Sequence, residues 1–247
     1  MKEPKRFLRN RPRFQPMTYV LGARCSDGVV LVADKKVTSD SGATVKFESK
    51  IFWDTGIFIG YSGSDITNLN FRYDASQIIG RLKQTEKQVE VQGLVRELED
   101  VLRKINTRYG ERVLQTNDVL IAAKLRDPQL ATLRYIAPEG AGSEILEYKA
   151  IGTGAPYGAV FLKRLWRNRN LTMNRVAEVG YFIIKYIETL GLDSTVGVGS
   201  ERPQIVFLPN TGDAHEANEE TLTRFENATK IGLEAHIKDI DKIVMPL

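Results

Sequence analysis

The spacing of apolar residues changes period several times along the chain, and the changes mark out its elements. From Thr18, TYVLGAR reads as a strand, Ser26-Asp27-Gly28 as a tight turn, and VVLVADKKVT as the returning strand of a hairpin. The unbroken run VVLVA predicts a strand covered on both faces. TVKFESKIFWDTGIFIGYSG adds two short strands around Asp54-Thr55-Gly56. The period then becomes helical. DITNLNFRYDASQIIGRL, capped by Ser64 or Asp65, spaces Ile66, Leu69, Ile78, Ile79 and Leu82 for a buried face. Leu94, Val95, Leu98, Val101, Leu102 and Ile105 form a clearer stripe ringed by charges, which is the pattern of a core-facing helix.

Strands return in DVLIAAKL, QLATLRYIAP and EILEYKAIG, separated by Asp127-Pro128 and by EGAGS. APYGAVFLKRLW and TMNRVAEVGYFIIKYIETLG predict two more helices, the second capped by Thr172 and closed by Gly191. A strand pair around TVGVG and PQIVFLP and a charged helix near 217–238 complete the order. Runs of strands alternating with pairs of helices do not suit a parallel βαβ sheet. They suit an α+β fold of two packed antiparallel sheets with helices on both outer faces.

At 247 residues and 42% hydrophobic, the chain can bury a substantial single core. It has no run of apolar residues long enough for a transmembrane helix or a secretory signal, which predicts a soluble, cytoplasmic protein. Charge sharpens the picture. Residues 1–16 hold six Lys/Arg against Glu3, and without them the 35 basic and 31 acidic residues fall to 29 and 30. The basicity belongs to a leader, so the expected organisation is a basic leader over 1–17, disordered or removed, followed by one domain over 18–247. No nucleic acid or membrane partner is expected. Cys25 reads as a strand-packing thiol. His215 and His236 lack partners at metal-ligand spacing, so neither metal nor cofactor is expected. IGTGAPYG lacks the Lys-Ser/Thr of a phosphate loop. Trp53 and Trp166 read as buried aromatics.

The candidate chemistry gathers at the first hairpin. If the turn at 26–28 is tight, facing residues sum to about 53–55, which sets Thr18 opposite residues 35–37 and brings Asp34 and Lys36 close. Lys50 precedes a strand able to run back past the first. A threonine hydroxyl beside a carboxylate and an ammonium suits nucleophilic attack, given a base. A free α-amine, with a pKa of about 7.7–8.0, is such a base within the same residue. That chemistry needs Thr18 to be the amino terminus. Taken alone, these residues are those of an ordinary charged surface hairpin, and their spacing by itself makes no case for catalysis.

The stretch TYVLGARCSDGVVLVADKKVTSD…ESKIF resembles the start of a proteasome β-type subunit, a threonine peptidase of the N-terminal nucleophile hydrolases. Thr18, Gly22, DGVVLVADKK and Lys50 match that pattern without a gap. GYSGSD is similar to its glycine-rich turn, IGTGAPYGAVFL to its GSGxxxxxGxL segment, and GLDSTVG to its RDxxSG segment. The likeness runs over roughly 18–210 and implies a four-layer αββα sandwich. It also implies roles: Thr18 as nucleophile, Lys50 tuning it, Asp34 orienting Lys50, Gly63 as oxyanion donor, and Thr153 and Asp193 supporting the terminus. Tyr61 falls beside the implied substrate-pocket wall, where core packing is an equal reading.

Two positions depart from the resemblance. Val196 stands where a serine is implied. Met17 stands where self-cleaving members carry glycine; if translation starts at Met17, the Met-Thr start suits removal of that methionine by methionine aminopeptidase, and residues 1–16 are otherwise a leader to be removed. The expected function is a threonine endopeptidase acting on unfolded polypeptide, within a homo- or hetero-oligomeric ring of α-type and β-type subunits. The alternatives are a non-catalytic ring subunit, or a peptide ligase that passes the acyl group to an amine.

Overall fold

The computed structural model describes residues 18–38, 45–54, 56–63, 65–84, 91–109, 117–124, 130–167 and 170–244. The basic leader and Ser64 lie outside them. In chain order the strands are β1 (Val20–Cys25), β2 (Gly28–Ala33), β3 (Lys36–Thr38), β4 (Val45–Phe47), β5 (Ile51–Asp54), β6 (Ile57–Ser62), β7 (Asp118–Lys124), β8 (Ala131–Ile136), β9 (Gly142–Glu144), β10 (Tyr148–Ile151), β11 (Gln204–Pro209) and β12 (His215–Glu216). The helices are α1 (Asp65–Gln84), α2 (Val91–Tyr109), α3 (Ala155–Leu165), α4 (Met173–Thr189) and α5 (Glu219–Val244). None of the described helices is long and apolar enough to cross a membrane.

Two five-stranded antiparallel sheets, ordered β10-β1-β2-β11-β12 and β5-β6-β7-β8-β9, form the centre, and β3 and β4 pair as a separate hairpin. Alternation along each strand feeds two cores at once. In β2, Val30 and Val32 pack towards α4, whereas Val29, Leu31 and Ala33 pack between the sheets. In β7, Val119, Ile121 and Ala123 meet α1 and α2, whereas Leu120 and Ala122 face the inter-sheet layer. The result is a four-layer αββα sandwich. Every residue of the α2 stripe from Leu94 to Ile105 is buried. Thr172 caps α4 by accepting from Arg175 N (3.4 Å), and Gly191, at φ +60°, follows its last turn.

Four sequence expectations change. Of EILEYKAIG, Tyr148–Ile151 form β10, which pairs with β1, whereas β9, which closes the other sheet against β8, is Gly142–Glu144 and takes Gly142 and Ser143 from the segment EGAGS expected to separate strands. Residues 145–147 carry the chain from sheet to sheet, a tertiary choice that a local pattern does not contain. TVGVG is a loop, because its backbone groups bond to side chains and to residues 35 and 36 instead of to a ladder. Leu69 is 64% exposed, and Phe71 and Ala75 take its place in the α1 contact. Trp53 is 56% exposed, stacked on Phe58 at 5.6 Å.

Two glycines let the facing sheets pack closely. A Cβ on Gly60 would lie 2.8 Å from Val20 Cγ1, and one on Gly22 would lie 3.0 Å from Leu133 Cδ1. Both neighbours stand on strands that cannot retreat cheaply. Gly60→Ala is expected to cost about 1–3 kcal/mol by overpacking. Val20→Ala in the same chain vacates that space, so the double variant should lose less than the sum of the single losses in thermal or chemical denaturation. Strictly additive losses would contradict this packing.

Candidate active site

The hairpin register is the tightest one expected, with Val20 opposite Ala33 and Cys25 opposite Gly28. It continues one step past β1. Asp34 N donates to Tyr19 O (3.0 Å), and Tyr19 N donates to Asp34 Oδ1 (2.8 Å). Tyr19 buries its ring on the helix side of the sheet, so alternation turns Thr18 to the other side. Thr18 is itself buried. Its carbonyl accepts from Gly154 N (3.2 Å), the residue that leads into α3. That contact places a carbonyl oxygen at the positive end of a helix. Gly152, at φ +90°, makes the approach possible, because a Cβ there would lie 2.0 Å from Thr18 O.

Asp34 and Lys50 form one ion pair. Lys50 Nζ donates to Asp34 Oδ1 (2.7 Å) and to Lys36 O (2.5 Å). Their side chains are 0% and 3% exposed. Gly197 N donates to the second oxygen, Asp34 Oδ2 (3.2 Å). Burial pushes the Asp34 carboxyl above its ordinary value, and the charge and hydrogen bond of Lys50, with the N–H groups of Tyr19 and Gly197, pull the other way. Each of these partners is a donor, so the pocket is shaped for a carboxylate.

Lys50 is held in register by a contact the sequence does not announce. The buried Gln204 of β11 accepts from Ile51 N (2.9 Å) and donates to Ile51 O (2.9 Å), joining the edge of one sheet to the other. The Lys36 side chain turns away from the pair and donates to Ser194 O (2.5 Å), so Lys36 meets Lys50 through its carbonyl alone.

Thr153 and Asp193 come together through a third residue. Asp193 Oδ1 accepts from Thr195 N (3.0 Å) and from the Thr195 hydroxyl, and Thr195 Oγ1 lies 3.5 Å from Thr153 Oγ1. Thr153 in turn sits between the two glycines that meet the Thr18 carbonyl. Val196, where the resemblance implies a serine, is buried in the helix-side core, and a Cβ on Gly154 would lie 2.8 Å from its Cγ2. The hydroxyl of this cluster therefore belongs to the preceding residue. A threonine two positions after an aspartate was the only available signal.

Gly63 follows β6, where a Cβ would lie 2.4 Å from Tyr61 Oη and from Asn117 Oδ1. The Tyr61 ring occupies the core beneath, stacked on Phe71 at 5.1 Å, with its hydroxyl donating to Asn117 Oδ1 (2.8 Å). Core packing, not a pocket wall, is the structural role of Tyr61. Among the described residues, no cluster of three or more His, Cys, Asp or Glu is arranged to hold a metal ion. Burial, with Asp27 nearby, raises the Cys25 thiol to about 12, which suits a packing role.

A model of the family described as "Proteasome subunit" matches residues 18–190, well over half the chain. The chain belongs to the proteasome subunit family. It is 27% identical to proteasome subunit beta 2 of Sulfolobus acidocaldarius over 210 residues, covering 84% of this chain and 95% of that one. It is 34% identical to proteasome subunit alpha of Methanoculleus marisnigri over 143 residues, 56% of this chain and 57% of that one. Among solved structures, Anbu, an ancestral beta-subunit from Yersinia bercovieri, superposes with a TM-score of 0.72 at 15% identity, over 93% of this chain and 99% of that one. A Gly-1 mutant of Anbu from Hyphomicrobium sp. strain MC1 superposes at 0.69 and 18% identity, over 90% and 96%. These two likenesses are of fold.

Removing Lys50 tests the buried pair. Lys50→Met leaves the Asp34 carboxylate without its cation, and the expected loss is about 3–5 kcal/mol near neutral pH. In that variant the folded-state pKa of Asp34 rises further above its unfolded value, so the penalty is full above the raised pKa and fades as pH falls below it. Denaturation midpoints should therefore differ more between variant and parent at pH 8 than at pH 5. An equal or larger difference at pH 5 would contradict a carboxylate–ammonium pair.

Proposed function

We propose that the chain is a β-like threonine endopeptidase of a self-compartmentalised ring, with Thr18 as its nucleophile. The observation that carries the reading is the fully buried Asp34–Lys50 pair beside Thr18, whose strand start is fixed by Tyr19 N and Gly154 N. The family match, which begins at Thr18, supports it. Burying two charges costs several kcal/mol per ion before their attraction is counted, and an apolar pair often does as well for stability. A charged pair in this place is better explained by chemistry than by folding.

In the proposed reaction, removal of the leader frees the Thr18 α-amine. Thr18 Oγ1 attacks the substrate carbonyl carbon while its proton passes to that amine, aided by the ammonium of Lys50 that Asp34 orients. Gly63 N–H stabilises the oxyanion. Collapse breaks the peptide C–N bond, and the proton passes to the departing amine, leaving an ester on Thr18. Water then attacks the ester carbonyl and gives a proton to the α-amine, which passes it to Thr18 Oγ1 as the ester C–O bond breaks and the acid is released. Thr153, Thr195 and Asp193 support the terminus. Substrates are unfolded polypeptides, and α-type and β-type subunits of the same family complete the ring.

A second reading has its own support. Val196 places a buried methyl surface where the resemblance implies a hydroxyl, as in a subunit that builds the ring without cutting. Two experiments decide between the readings. An epoxyketone directed at N-terminal threonine, followed by peptide mass spectrometry, should label Thr18 in the assembled protein, and Thr18→Ala should abolish labelling while assembly persists. A folded, assembled parent without label would favour the scaffold. Thr195→Val, which keeps shape and removes the hydroxyl, should slow labelling about tenfold, the equivalent of one hydrogen bond of about 1.4 kcal/mol. An unchanged rate would remove Thr195 from the site.

A further inference from the structure

Residues 196–198 belong to neither helix nor strand, so partners outside a ladder must hold their backbone. Asp34 does so from one side. Gly197 N donates to Asp34 Oδ2 (3.2 Å), and Gly197 O accepts from Lys35 N (3.1 Å) and Lys36 N (2.9 Å). The opposite side is held by a group outside the catalytic set. Glu188, in the last turn of α4, accepts from Val198 N (2.9 Å) and Gly199 N (2.8 Å) through Oε1, and from Lys185 Nζ (2.6 Å) through Oε2. The fit is close: a Cβ on Gly197 would lie 2.5 Å from Glu188 Oε1. Gly199 stands at φ +57° with the Phe47 ring against it, where a Cβ would lie 2.6 Å from Cζ. Two carboxylates thus take three successive amides, Asp34 the first and Glu188 the next two.

The anchor behind Glu188 is rigid. Helix α4 buries Val176, Ala177, Gly180, Tyr181, Ile183, Ile184 and Ile187 among others, and Gly180 presses directly on Val32 of β2. Burial raises the Glu188 carboxyl, but Lys185 and the two backbone N–H groups outweigh it and hold it below the ordinary glutamate value. It is therefore an anionic acceptor where the loop needs one.

We propose that Glu188 is a positioning residue of the Thr18 site: by clamping Val198 and Gly199 it keeps Gly197 N on Asp34 and, through Asp34, the Lys50 ammonium in place. This rests on Thr18 being the nucleophile, yet the clamp can be read without any turnover. The test compares Glu188→Ala, Glu188→Gln and Lys185→Met in the full assembled chain, by amide hydrogen exchange over 196–199 and by the rate of epoxyketone labelling at Thr18. Glu188→Ala should speed exchange at Gly197, Val198 and Gly199 at least about tenfold, as expected for two lost hydrogen bonds. It should slow the bond-forming step of labelling by a similar factor with the affinity of the reversible probe complex unchanged. Glu188→Gln keeps the acceptor oxygen and Lys185→Met keeps the whole carboxylate, so both should stay within about threefold of the parent.

Unchanged exchange at these amides in Glu188→Ala would overturn the clamp. Faster exchange with labelling at the parental rate would overturn its bearing on the site. If the parent itself takes no label, the peptidase reading fails, and exchange at Gly197, the amide on Asp34, still decides whether Glu188 holds the loop.

Discussion

A carboxylate and an ammonium that have left water for each other organise this end of the sandwich. Asp34 has no exposure, and its two oxygens meet Tyr19 at the start of β1, Lys50 ahead of β5 and Gly197 in the loop after α4. Those segments come from both sheets and from the connection that follows the second helix pair. An unpaired charge there would be costly, so the pair tolerates little displacement of any of the three. Fold and chemistry meet at this point. The sheets must approach closely enough for Gln204 to hold Ile51, and only then does the neighbouring Lys50 reach Asp34.

The second cluster carries its hydroxyl one residue earlier than the resemblance implies. Asp193 keeps the aspartate the resemblance implies, but its hydroxyl partner is Thr195. Val196 faces the core against Gly154, filling space that the glycine leaves open. With Thr153 beside Thr195 and between the two glycines that meet the Thr18 carbonyl, the cluster remains connected to the strand start.

Much of the fold was legible because it follows from periodicity. The all-apolar β2 is covered on both faces, the α2 stripe is core, and α4 lies between the cap and the glycine that its sequence carries. What escaped depends on distant partners. Residues 144–152 look like one strand because nothing local says that β9 and β10 belong to different sheets. TVGVG alternates like a strand, yet Asp34 and Glu188 claim its amides. For the site, the hairpin register brought Asp34 to the first strand, whereas Lys50 was placed near it only through the strand that follows, which could run back past the first. Gln204 and Glu188 gave no local signal, since their partners lie far away or outside the expected pattern, and Thr195 gave only its place two positions after Asp193.

All the proposed chemistry requires the nitrogen of Thr18 to be a basic amine, because an amide nitrogen cannot accept the hydroxyl proton. The most direct measurement is intact-mass analysis with N-terminal sequencing of the natively assembled protein. A mature chain that begins at Thr18 is the result this account predicts. A mature assembly in which the Met17–Thr18 peptide bond is intact would contradict it.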